Sequence, residues 1–300
     1  MSVVLAHVGG IQFAPLQIVP QFVIAALYLQ RCSTLSGTPR AVPLCRQVCF
    51  LSGLAVIVVA LVSPLGHAAE EVFVAHMAEH LLIADIGALL LVLGLTGPVL
   101  APVLRIRAFD RLRIFTHPAV AIVLWAASLT FWHIPLFHEA AVRSEVVHAV
   151  QHLCFVTFGA AVWMPLFGPL PKPTWFTNAA ALGYVLIVRL VGAVLANVFL
   201  FGGGAFYDVY QPELFDISAA SDQVAAGTVM MIEESILTIC LFAWLFLRAA
   251  REGEEQQDLL DLAAARGVTL DPARARRAVA AGRGGDLRER IEQAADVSGT

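Results

Sequence analysis

Seven apolar runs, each 19 to 25 residues long, fill most of the first 250 positions: Gln12–Gln30, Cys45–Pro64, Val72–Leu95, Pro118–Leu136, Val147–Phe167, Ala179–Phe201 and Gln223–Leu247. A helix needs about 20 mostly apolar residues to cross ~30 Å of hydrocarbon. In lipid a helix also satisfies its own backbone hydrogen bonds, which an open strand does not. The pattern predicts an all-α membrane protein with seven transmembrane helices. Charge divides the chain the same way. Of its 42 acidic and basic residues, 18 lie between Arg251 and Asp296, leaving 24 for the first 250. We therefore expect a seven-span membrane domain over residues 1–248 and a polar tail over 249–300. The tail reads as partly helical. Asp271 and Pro272 form an N-cap and N1 pair, and the Gly282–Gly285 stretch interrupts the run before Asp286–Ala295.

Other classes fit poorly. Neither part has a basic excess (11 basic against 13 acidic, then 8 against 10), so no nucleic-acid partner is expected. Five cysteines, an odd number with four of them in the apolar runs, imply no disulfide framework. Cys32, Cys45 and Cys49 cluster near one membrane face and could take a cuprous ion, but such cysteines are more often small apolar fillers. The first basic residue is Arg31, so the N-terminus does not read as a secretory signal.

Loop charge sets an expected orientation. Arg31, Arg40 and Arg46 follow span one, Arg105, Arg107, Arg111 and Arg113 follow span three, and Lys172 follows span five. The alternate loops carry only Arg143, and the tail is Arg-rich. The positive-inside rule then puts the N-terminus outside and the C-terminus in the cytoplasm. On that reading eight of nine histidines lie at or near the external face: His7, His67, His76, His80, His133, His138, His148 and His152, with His117 inside.

Spacing sharpens the histidine pattern. His76 and His80, and likewise His148 and His152, are i,i+4 pairs, each on one helix face. Paired imidazoles in a bundle core suit copper, zinc, iron or nickel. His133 and His138 extend the candidate set, although Pro135 between them leaves their directions open. His76-Met77-Ala78-Glu79-His80 also matches H-x-x-E-H, in which Glu79 would be the base of a zinc hydrolase. No third ligand or substrate space is marked for that chemistry, and a structural Glu79 is the simpler expectation.

A second constellation lies deeper. Asp85 falls about 18 Å below the outer end of span three, and Arg189, Glu233 and Glu234 share that depth. Charges there should face inward and pair. Arg189 is expected to contact Glu233 or Glu234, with Asp85 neutral or bound to a polar group rather than paired. The cluster reads as a structural clamp or as a proton or cation relay.

The residues alone leave several functions open: a metal-delivering assembly factor, a b-type cytochrome with bis-histidine haem ligation, and an ion or proton transporter using the midplane carboxylates. The motif set resembles the multispanning CtaG family of cytochrome c oxidase assembly factors. The resemblance rests on His76-Met77-x-x-His80-Leu81-Leu82, His133-x-Pro135, His148-x-x-x-His152-x-x-Phe155, Trp163-x-Pro165-Leu166 and Tyr207-x-x-Tyr210. Asp222-Gln223-x-x-Ala226-Gly227-x-x-Met230 completes it, and together these blocks cover about Val72 to Leu247. It implies a multi-pass protein of the bacterial inner membrane that is not an enzyme. Such a protein helps mature a haem–copper oxidase, with copper delivered to an oxidase subunit or another assembly factor. His76, His80, His148 and His152 match the family's histidine positions, and Asp222, Gln223 and Met230 its last-span motif. Two features depart from that pattern. Asp85-Ile86-Gly87 stands where prolines are expected, and Glu233-Glu234 replaces apolar residues after Met230.

Overall fold

The computed structural model describes residues 15–106 and 117–298. The expectations for His7, for Arg107, Arg111 and Arg113, and for a first span starting at Gln12 lie outside the described residues.

The described chain is all helical, with no strand, and is a multi-pass membrane protein. Six helices are long and apolar enough to cross a membrane: Pro15–Leu35, Leu44–Val62, Phe73–Gly94, Glu145–Phe167, Asn178–Phe201 and Ala219–Ala265. The remaining expected span is broken. Pro118–His133 bends by 73° into Pro135–Arg143. Pro135 has no N–H to donate and holds the preceding residue out of the α region, so Ile134 is extended at φ −67°, ψ 129°. If this bent pair is one crossing, the spans number seven.

Three further differences from the sequence reading have local causes. Span three is not a uniform α-helix: Leu82–Gly87 is a π-helical segment, and Asp85 sits within it. The last span does not stop at Leu247 but continues as one helix to Ala265, through the boundary expected at 248/249. No glycine or proline cap intervenes there, and Arg248 instead ties to Glu252 one turn on, at 2.7 Å. The second tail helix begins at Gly284, two residues before the expected start.

The described residues form two compact units, one comprising those up to Phe176 with Gly183–Ile236, the other Thr177–Leu182 with those from Leu237 on. In the second unit, Leu259, Ala263, Val279, Leu287 and Ile291 form a small buried core. Asp271 caps the Pro272–Ala280 helix there, accepting from the Ala273 N–H at 3.0 Å. In the first unit, small residues let helix backbones meet, as membrane bundles require. A Cβ on Gly159 would run into the Ala84 carbonyl, and one on Gly94 into the backbone of Phe50.

Candidate metal centre

His76, Glu79 and His80 occupy the first turns of span three, and His148 and His152 those of span five. Both helix starts are fixed by side chains. Asp222 accepts the backbone N–H groups of Phe73 (2.7 Å) and Val74 (2.9 Å), capping span three from the start of the last span. Ser144 caps span five by accepting from Val147. Each cap sets the rotation at which its histidine pair faces the bundle.

The four imidazoles meet. Ring centroids are 4.1 Å apart for His76 and His80, 4.2 Å for His148 and His152, 5.3 Å for His76 and His148, and 5.2 Å for His80 and His152. Two overlapping groups have ligand atoms within 4.8 Å of one another: His76, His80 and His148, and Glu79, His148 and His152. Three ligand atoms on one ion with bonds of 2.0–2.1 Å sit about 3.3–3.6 Å apart, so the widest separations in either group must shorten by about 1.2–1.5 Å, shared between two side chains. Nitrogen donors with one carboxylate are a set suited to copper or zinc.

Tautomers are set from outside the cluster. Carbonyl oxygens only accept, so His76 Nδ1 donates to Ala69 O (3.2 Å) and His152 Nδ1 to Gln17 Oε1 (2.6 Å). The lone pairs then fall on the Nε2 atoms, which point into the cluster. His76 Nε2, both ring nitrogens of His80, His148 Nε2, His152 Nε2 and Glu79 Oε2 are all buried without a hydrogen-bond partner. Glu79 Oε2 lies 4.0 Å from His152 Nε2. A buried polar atom left unpaired costs about 1–3 kcal/mol, so several in one place call for a shared ligand.

His133 and His138 belong to neither three-ligand group. His133 Nδ1 donates to Leu129 O at 2.7 Å, and its Nε2 is buried and unpaired. His138 Nε2 shares a 2.6 Å hydrogen bond with Tyr210, and its ring lies 4.9 Å from that of His76. Tyr210 comes from the loop before the last span, and burial pushes its phenol far up, so it is present as a neutral hydroxyl. His67 stands apart, 3.8 Å from Glu71.

The last-span motif builds structure around the centre. Gln223 Nε2 donates to Gly204 O (2.6 Å) and Phe199 O (3.3 Å), and its Oε1 accepts from Phe206 N (2.8 Å). Met230 packs in a buried cluster with Phe73, Met77 and Phe199. Cys32 is buried, Cys49 half-buried and Cys45 exposed, all as free thiols.

At the deeper constellation one expectation is corrected. Arg189 does reach Glu234 (Nη1 to Oε2, 3.1 Å), with Glu233 at 3.8 Å, but it also pairs with Asp85 through Nη2 at 3.3 Å. The π segment offsets the helix register, which places Asp85 on the side facing span six. Three carboxylates thus share one guanidinium, whose carbon lies 5.4 Å from the Trp163 ring centroid. Gly192, one turn after Arg189, leaves the space that the Glu234 carboxylate fills.

Sequence reasoning did not find Gln17, Glu79 as a ligand candidate, or the Tyr210 contact. Gln17 had a readable signal, being a polar side chain in an apolar span. Glu79 and Tyr210 did not, because their roles depend on which helices face each other.

These features define a polytopic helical membrane protein with a buried histidine cluster between two spans. The family model for the cytochrome c oxidase caa3 assembly factor (Caa3_CtaG) matches residues 26–252, and the chain belongs to that family. No curated protein and no solved structure matches it.

Proposed function

We propose that this assembly factor works by binding a copper ion at the His76, His80, His148 and His152 cluster and passing it to an oxidase subunit. The observation that carries this reading is the set of buried, unpaired ligand atoms converging from spans three and five. Glu79 joins the ligand set, so the centre offers an all-nitrogen seat and a seat with one carboxylate that share His148. Imidazole nitrogens hold copper in either oxidation state, and the carboxylate adds charge for a divalent ion. Delivery requires no catalysis by the protein.

The orientation inferred from loop charge puts the cluster in the outer third of the bacterial inner membrane, with the tail in the cytoplasm. That is the side from which an external copper donor would load it. A haem reading is less favoured, because His80 and His152 are already in edge-to-face ring contact with Phe155 against His80. Zinc remains compatible with the same donors, and hydrolysis would further need a substrate cleft beside Glu79.

The test is metal content and oxidase assembly together. Wild-type protein purified with copper should hold about one ion per chain. His80→Ala and His148→Ala should lose it and lower caa3 oxidase activity in cells, with partial rescue by added copper. Full oxidase activity in both variants would remove the copper-delivery reading.

A further inference from the structure

Below the histidine centre, a cavity of about 50 Å³ runs beside span three. Its walls include His80 and His133 from the region of the histidine centre, Asp85 and Glu234 from the midplane cluster, and Ser128. Space of that size accommodates water, and these polar walls provide partners for it. Ser128 is only 8% exposed, and its Oγ is buried without a hydrogen-bond partner. The cavity, otherwise lined by apolar side chains such as Met77, Leu129, Phe155 and Phe158, thus touches both the metal centre and the midplane charges.

Charge counting at its lower end does not close with side chains alone. Asp85 from span three and Glu233 and Glu234 from the last span surround Arg189 from span six. Span five contributes Trp163 over the guanidinium, span four contributes Ser128, and Tyr184 on span six is engaged with the Val162 carbonyl at 2.7 Å. No other cation faces the group among the described residues. Asp85 and Glu234 take the close contacts to Arg189. Glu233 is the least engaged, at 3.8 Å, and both its oxygens are buried and accept no hydrogen bond. Two negative charges in excess of the guanidinium are costly in a low-dielectric interior. The guanidinium itself occupies the place a metal cation would take, which leaves protons as the balancing species.

We propose that the Asp85, Arg189, Glu233 and Glu234 cluster is a proton-binding site, in which one proton on Glu233 lowers the excess from two negative charges to one, and that it releases this proton when a cation occupies the histidine centre. The release step breaks the O–H bond of the Glu233 carboxyl, leaving a carboxylate; the proton passes to the neighbouring Glu234 carboxylate, which lines the cavity, and from there past Ser128 to solvent. A monovalent ion in and a proton out keep the buried charge constant. The coupling half rests on the metal-binding reading above; the proton-site half does not. The rise from His80 to Asp85 is ~7.5 Å, and the guanidinium extends the path to Glu233. A unit charge ~12 Å away, at an effective dielectric near 20, lowers proton affinity about tenfold.

The full-length protein in lipid nanodiscs tests both halves. Infrared absorption at pH 7 should show a protonated carboxylic acid band that Glu233→Gln reduces. An identical band in the two proteins overturns the proton site. Silver ion, a redox-inert stand-in for cuprous ion, is then added in weak buffer with a pH indicator. Wild type should release close to one proton per bound Ag⁺, and Glu233→Gln less than half of that at the same Ag⁺ stoichiometry. Equal release from both overturns the coupling. Failure of wild type to bind Ag⁺ removes the coupling together with the metal reading, while the infrared comparison still decides the proton site. Should Glu233→Gln not fold, the wild-type band decides the matter alone: it should fall when Ag⁺ is added, and a band unchanged by bound Ag⁺ overturns the proposal.

Discussion

Asp222 at the start of the last span caps span three by accepting the N–H of Phe73 at 2.7 Å, across 149 residues of sequence. A second oxygen takes the N–H of Val74, so one carboxylate satisfies two of the donors that a helix start leaves open. Its negative charge also opposes the positive end of the helix dipole. The cap fixes where span three begins and hence where His76 and His80 face.

Asp222→Ala should therefore act on stability and on the metal centre together. We expect a loss of about 2 kcal/mol, since one buried and one part-buried N–H group lose their shared acceptor. Asp222→Asn keeps one acceptor oxygen and should cost less. Thermal unfolding in detergent measures the first effect, and a competition titration with a copper chelator the second. Equal stability of all three proteins would show that the cap contributes nothing.

Gln17 gives a prediction that bears on the metal reading. It accepts from His152 Nδ1 and so holds the opposite nitrogen toward the cluster. Outer partners of ligating histidines typically contribute 10–100-fold in metal affinity. Gln17→Leu should weaken copper binding by roughly that factor and, by leaving the buried His152 N–H unpaired, cost about 1 kcal/mol of stability. Unchanged affinity would mean that His152 is not oriented by this contact.

Arg189 sets the energetic stake of the midplane cluster. Removing it alone leaves three buried carboxylates with no counter-charge, and breaking a buried pair by deleting one partner costs about 3–5 kcal/mol. Arg189→Gln should thus be among the most destabilising single changes in the bundle. Combining it with Glu234→Gln removes the carboxylate closest to the guanidinium, and the double variant should unfold later than the single one. A double variant no more stable than Arg189→Gln would defeat this account.

The all-helical multispan architecture, the approximate position of most spans and the two histidine pairs were legible in the sequence. Length and apolarity fix a membrane helix, and the 3.6-residue period fixes which side chains share a face. What the sequence hid was rotation and contact across helices. Asp85 looked unpaired because Arg189 was assigned to the glutamates of the adjoining span, and nothing local says that span three also faces it. Glu79 looked structural because nothing local says which helix it faces. Pro135 did signal a break in span four, but not its 73° angle, which arises where the chain resumes as Pro135–Arg143. The continuation of the last helix to Ala265 was obscured by its change from apolar to charged composition, which alters its surroundings without interrupting its backbone.

Gly159 ties the packing of the bundle to the metal centre. It lies on span five, two turns below His152, directly against the Ala84 carbonyl of span three. Even a methyl group there forces the two helices apart, because the obstacle is backbone and cannot rotate away. Overpacking of this kind costs typically about 1–3 kcal/mol, and the displacement propagates to the histidine pairs that the same two helices carry. Gly159→Ala should lower both the unfolding temperature and copper affinity. Gly183 in span six supplies the control, since a Cβ there meets nothing within 4 Å. Gly183→Ala should keep metal affinity unchanged and raise helix stability slightly, as alanine is the better helix former. Loss of metal affinity in both variants would point to a general effect of altering the spans. Loss in Gly159→Ala alone would place the cause in the spacing of spans three and five.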